Sequence, residues 1–244
     1  MMPKAIDEVF QPLRNEVLDI HMAWRLYREA FATSEERVIL LNRYAGVWFG
    51  YAQAAMYDDM VVSLFRLLDP PNQGKGRDNL TIARLADLVE ADGQMLLANV
   101  IRTARNRVEN LLQPFTDWRN KRIAHNDLSR MQATWQGNPT TPGPSHQSIE
   151  ESLARVRECM NSVDEHYQNN STAYESIFIL RGDGEELIKH LRRYDLYLED
   201  VRAGAPTPEL RRVWPDRPPH VQQLLRDMCS QQQTRPEGGI EENR

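Results

Sequence analysis

The stretch DWRNKRIAHND, residues 117–127, gathers Arg119, Asn120, Arg122, His125 and Asn126 into one short run. An arginine guanidinium is a planar fork that stays charged at physiological pH and can hold two phosphate oxygens at once. An imidazole, with an ordinary pKa of about 6.5, can take up or release a proton near neutrality. Asparagine can donate to an anion or orient a neighbour. At about 100° per residue, a helix through this stretch places Phe115, Trp118, Arg119, Arg122, His125 and Asn126 within an arc of about 120°. The face begins apolar and turns cationic. Arg119 and His125 lie about 9 Å apart along the axis, at opposite edges of the arc, so they suit one extended ligand gripped between them. A structural role would look different. The arginines would pair with carboxylates of neighbouring helices, and His125 would sit at a core edge near the helix C-terminus.

The elements that must carry this face read as helix after helix, with no convincing β-type alternation. Val9, Leu13, Val17, Ile20, Trp24 and Tyr27 recur at spacings of three and four and predict a first helix over about Ala5 to Phe31. In "TSEE", Thr33 as N-cap and Glu36 three residues on form a capping box that opens a long second helix, which Pro70-Pro71 ends. A loop "NQGKGRDN" follows, then a short helix closed by Gly93, a helix over about Gln94 to Leu112, and the motif helix over about 114–130 with Pro114 in its first turn. "QGNPTTPGPSHQ", residues 136–147, has the Gly, Pro and Ser content of a flexible surface linker. Beyond it, Ile149 to Tyr167 and Glu185 to Val201 predict helices. Residues 170–184 are ambiguous and are assigned to helix or loop. The expected division is a helical domain over 1–202 and a proline-rich, poorly ordered tail over 203–244 with one small helix near Val221 to Cys229.

The 244 residues are 41% hydrophobic and 27% charged, with a mean hydropathy of −0.63, which describes a soluble globular chain. No run approaches a bilayer span, and the charged N-terminus does not resemble a signal peptide, so a cytoplasmic protein is expected. Cys159 and Cys229 have no zinc-type spacing and read as reduced thiols. No HExxH, Walker loop or complete GxGxxG occurs, so neither metal nor cofactor is expected. Net charge is −5, which excludes attraction of nucleic acid by the global field, yet the segment from Arg102 to Arg122 holds six basic residues against Glu109 and Asp117. Asp59 shares a stripe of the second helix with Tyr44, Trp48, Tyr51, Ala55 and Val62, and Arg66 lies seven residues on. A carboxylate there needs a partner, for which Arg66, Arg119 and Arg122 are the candidates; a direct part in chemistry is the lesser alternative. His166 and His190 read as edge histidines.

"RNKRIAH" resembles the R-x(4–6)-H motif of the HEPN superfamily, with a polar residue directly after the arginine. The flanking WRNKRIAHND, and upstream YDDMVVSLFRLLDP, look most like the abortive-infection (Abi, type U) branch. The resemblance implies an all-α, up-and-down helical bundle, here with extra C-terminal helices. It also implies a metal-independent ribonuclease, often a toxin or antiviral effector, acting on RNA as a homodimer, sometimes with an antitoxin encoded nearby. Carried over by position, Arg119, Asn120 and His125 are the active-site residues, with Arg122, Asn126 and Asp59 in support or RNA binding. Such chemistry needs a base for the 2′-hydroxyl proton, an acid for the leaving 5′-oxygen and cations for charge growing on phosphorus. Two rivals stand beside it: a catalytically silent module binding RNA, a nucleotide or a partner protein, and a purely structural helical bundle.

Overall fold

Apolar residues at helical spacing can be buried only if their helices face one another, and the computed structural model arranges them so. It describes residues 1–72, 74, 76, 78–120, 143–176 and 182–202. Arg122, His125 and Asn126, most of the expected linker, and the tail with Cys229 lie outside the described residues. Among those described the regular structure is all-α, with one isolated bridge between Asn72 and Asp78. The helices are α1 (Lys4–Tyr27), α2 (Glu35–Leu68), α3 (Ile82–Ala91), α4 (Met95–Leu112), α5 (Thr116–Arg119), α6 (His146–Gln168) and α7 (Gly184–Arg202). The chain divides into two compact units, Met1–Lys189 and His190–Arg244. In the second, the described residues are the end of α7, where the Tyr194 and Tyr197 rings lie 6.2 Å apart.

The core of the first unit forms where α4 packs against α3 and α6, and α1 against α2 and α3. Helix α1 supplies Phe10, Leu13 and Val17, α3 supplies Leu85 and Val89, and α6 supplies Val156 and Met160, all essentially without solvent contact. Pro12 sits inside α1 on its exposed side, where water can reach the carbonyl that loses its helical donor.

Three boundaries differ from expectation. Helix α1 runs into a π-helical turn, Arg28–Ala32, and the Thr33 hydroxyl turns back to donate to the Arg28 carbonyl at 2.7 Å. Ser34, not Thr33, is therefore the N-cap of α2, and its side chain makes no capping bond. Helix α6 starts at His146, inside the expected linker, because the Ser145 hydroxyl accepts from the Ser148 N–H at 3.0 Å and supplies an N-cap. Between α6 and α7 only a 3-10 turn, Tyr174–Ser176, is regular among the described residues.

Helix α2 is broken at Ala45, whose φ of −155° and ψ of 57° are not helical. Beyond the break, Val47, Trp48 and Tyr51 are exposed, whereas Met60, Val61, Leu64 and Leu67 near the C-terminal end are fully buried. Asp59 is exposed too. Trp48, Tyr51 and Ala55 of the stripe shared with Asp59 therefore face solvent in a single chain while Tyr44 and Val62 are half-buried, and Asp59 forms no ion pair with Arg66 or Arg119 among the described residues.

Candidate active site on helix α2

The motif begins where α4 ends. A 3-10 turn, Gln113–Phe115, carries Pro114 and redirects the chain into α5. Trp118 is the anchor. It is buried, and its ring meets the Tyr57 ring of α2 edge-on at 5.7 Å and 87°. The Tyr57 hydroxyl donates to the Pro144 carbonyl, and a Cβ on Gly143 would come within 2.7 Å of that hydroxyl and 2.9 Å of the Trp118 ring. A glycine is needed there because the chain passes directly over the two rings. Trp118 and the Gly143–Pro144 segment, on either side of the undescribed stretch, are thus both held at Tyr57.

One residue after the anchor, Arg119 is half-buried with its Cζ over the Phe65 ring, 4.9 Å from the centroid. Its Nε is buried and without a hydrogen-bond partner among the described residues. Among the described residues it makes no ion pair, unlike Arg102 and Arg105 of the basic run; Arg107, which is exposed on α4, is likewise unpaired. Arg102 is held by Asp87 at 2.9 Å and by Glu90, and Arg105 by Glu109 at 2.9 Å and by the Leu68 carbonyl at 2.7 Å. Arg102 and Arg105 are thereby neutralised, and Arg119 differs from the exposed Arg107 in being a half-buried cation with no carboxylate partner among the described residues. Asn120 is half-buried as the C-cap of α5, its N–H donating to the Asp117 and Thr116 carbonyls.

The chain belongs to the AbiU2 family of HEPN proteins. The model of that family, HEPN_AbiU2, matches residues 2–187, which take in all the helices that position Trp118 and Arg119. No curated protein and no solved structure matches. In this HEPN chain the structure brings Arg119 and Asn120 together at the head of the motif and leaves Asp59 in solvent. Sequence reasoning passed over Tyr57, Phe65 and Gly143. Tyr57 and Phe65 lie within YDDMVVSLFRLLDP, the stretch that carries part of the resemblance, but neither stands out there as a site residue, and Gly143 reads as one more linker glycine.

Away from Arg119, a concavity of about 460 Å³ opens between α1 and α6 beside Tyr174–Ser176. Burial, with Arg157 nearby, lowers the His21 pKa to about 4 against a smaller opposing pull from Glu175, so the ring is neutral there. The arginines lining it are engaged, Arg25 with Glu29 at 2.6 Å, Arg28 with Glu150 at 2.7 Å and Arg157 with Glu175 at 3.4 Å. It offers an incoming anion no uncommitted charge. No helix among the described residues is long and apolar enough to cross a membrane, and none of their His, Cys, Asp and Glu side chains cluster in a metal-binding group.

Proposed function

We propose that this HEPN chain is a metal-independent endoribonuclease, acting as a toxin or antiviral effector on cytoplasmic RNA. The observation that carries the reading is Arg119, a cation with no carboxylate partner among the described residues, held at the head of the motif helix by aromatic packing. In the proposed reaction the RNA 2′-oxygen attacks the adjacent phosphorus while a base takes its proton. The bond from phosphorus to the 5′-oxygen breaks, and an acid protonates the leaving oxygen. The products are a 2′,3′-cyclic phosphate and a 5′-hydroxyl. Arg119 offsets the charge that grows on the non-bridging oxygens, Asn120 donates to the phosphate or orients a partner, and His125 transfers the proton. Arg122 and Asn126 support the phosphate backbone.

One chain brings one motif histidine to a reaction with two proton transfers. Two copies bring both, so the active form is a homodimer with twofold symmetry. The exposed Val47, Trp48 and Tyr51 after the α2 break support a subunit contact, since apolar surface of this kind gains from being covered. The test is purified protein with a labelled RNA, with and without EDTA, beside the same RNA carrying one 2′-deoxy position at the mapped cut. Cleavage should survive EDTA, stop at the deoxy site, and be largely lost in Arg119→Ala and His125→Ala. Cutting that persists at the deoxy site, or that ignores His125→Ala, overturns the mechanism.

A further inference from the structure

Phe65 is buried among the fully enclosed residues at the C-terminal end of α2, so its ring has little freedom to move. A cation within about 6 Å of a ring face is attracted by the ring's quadrupole, and the Arg119 Cζ lies 4.9 Å from the Phe65 centroid. The two ways of holding a guanidinium have different consequences. A carboxylate takes donors in the guanidinium plane and cancels the charge, as Glu109 does for Arg105. A ring engages the face and leaves both the in-plane donors and the charge available. The Arg119 Nε edge, moreover, is enclosed by protein and has no hydrogen-bond partner among the described residues.

We propose that Phe65 is the positioning residue of the site, fixing Arg119 so that its two Nη groups, and not its Nε edge, meet a phosphate of bound RNA. This rests on the ribonuclease reading above. Phosphate approaches the edge while Phe65 keeps the face, so the two contacts do not compete. The arrangement also explains why a buried, unbonded Nε is tolerated: the side chain is placed by the ring and by its own burial. Phe65 itself touches no substrate.

The test replaces Phe65 in the full-length protein by 4-fluoro-, 3,5-difluoro- and 3,4,5-trifluorophenylalanine, which withdraw electron density from the ring face with little change in size. The probe is a single-stranded RNA with 2′-deoxy substitution at every position but one non-cleaved end, measured by fluorescence anisotropy. The Kd should rise stepwise along the series, by about 2- to 5-fold in all. In the Arg119→Ala background the same series should be flat. A packing role alone leaves Kd unchanged in both backgrounds, which overturns the proposal. A second readout does not depend on RNA: the Arg119 Hε resonance should be displaced upfield by the Phe65 ring current and return in Phe65→Leu. A folded, RNA-cleaving protein with an undisplaced Hε refutes the role of Phe65 alone. A displaced Hε in a protein that neither binds nor cleaves RNA refutes the ribonuclease reading, and with it the phosphate role of the pair.

Discussion

At His21, burial opposes protonation. The side chain is 4% exposed, its Nε2 has no hydrogen-bond partner among the described residues, and its pKa is pulled down to about 4. An unfolded histidine titrates near 6.5. The unfolded chain therefore binds the extra proton first, and the stability linked to this group, complete above about pH 6.5, falls as pH drops toward 4 and then levels off. The loss is on the order of 2–3 kcal/mol, from the size of the shift. Urea midpoints measured from pH 7.5 to 4 should decline along this window, and His21→Gln should flatten much of the slope. An equally steep decline in the variant would assign it to other groups. The sequence places His21 on an α1 face but does not disclose its burial, because the residues that cover it, such as Tyr174, come from a segment with no clear period. The Tyr174 and His21 rings are 5.8 Å apart.

Among the elements, helices were legible where punctuation is strong, at Pro70-Pro71 after α2 and at Gly93, φ 83°, after α3; the N-cap of α3, where the Thr81 side chain accepts from the Arg84 N–H at 3.2 Å, had no such sign. Legibility failed where a local hydrogen bond chose between two adjacent hydroxyls, as at Thr33 and Ser34, and where linker-like composition concealed the Ser145 cap. The approach of α5 to α2 was foreshadowed only as a pairing of Asp59 with Arg119 or Arg122, whereas the contact is made by Tyr57 with Trp118 and Phe65 with Arg119. Tyr57 and Trp118 are 61 positions apart, and their period says only that each belongs to some apolar face. Gly143 makes this junction testable. Gly143→Ala puts a methyl group into both rings, and overpacking of this kind typically costs about 1–3 kcal/mol. The expected outcome is a lower melting temperature together with reduced RNA cleavage, as Trp118 and then Arg119 are displaced. Gly50, where an added Cβ meets nothing within 4 Å, is the control, and Gly50→Ala should cost no stability. Equal losses at the two positions would remove any special role from the junction.

For the whole molecule, apolar periodicity told correctly that α2 has an apolar stripe but not what covers it. Trp48 and Tyr51 are 65% and 78% exposed in one chain, and that surface is the part of the expectation that a single sequence leaves open. If two copies meet there, Trp48→Glu should give a monomer in sedimentation at micromolar concentration with its helix content intact, because this side chain supports little of the chain's own core. Cleavage should fall with the dimer. A wild type that sediments as a monomer yet cuts RNA would end the idea of a site completed by two subunits.

The clasp at Tyr57 also bears on whether the backbone must be continuous. Trp118 and the Pro144 carbonyl reach the same tyrosine from opposite sides of residues 121–142, and the helices on each side are buried against each other, α4 on α6. A peptide bond cut between Gly137 and Asn138 would therefore sever the chain without separating its halves. Produced as two polypeptides, 1–137 and 138–244, the protein should assemble and copurify, its pieces joined by the hydrophobic interior that ordinarily forms within one chain. The natural order of the sequence would then be only one of several in which this same set of helices could be genetically encoded.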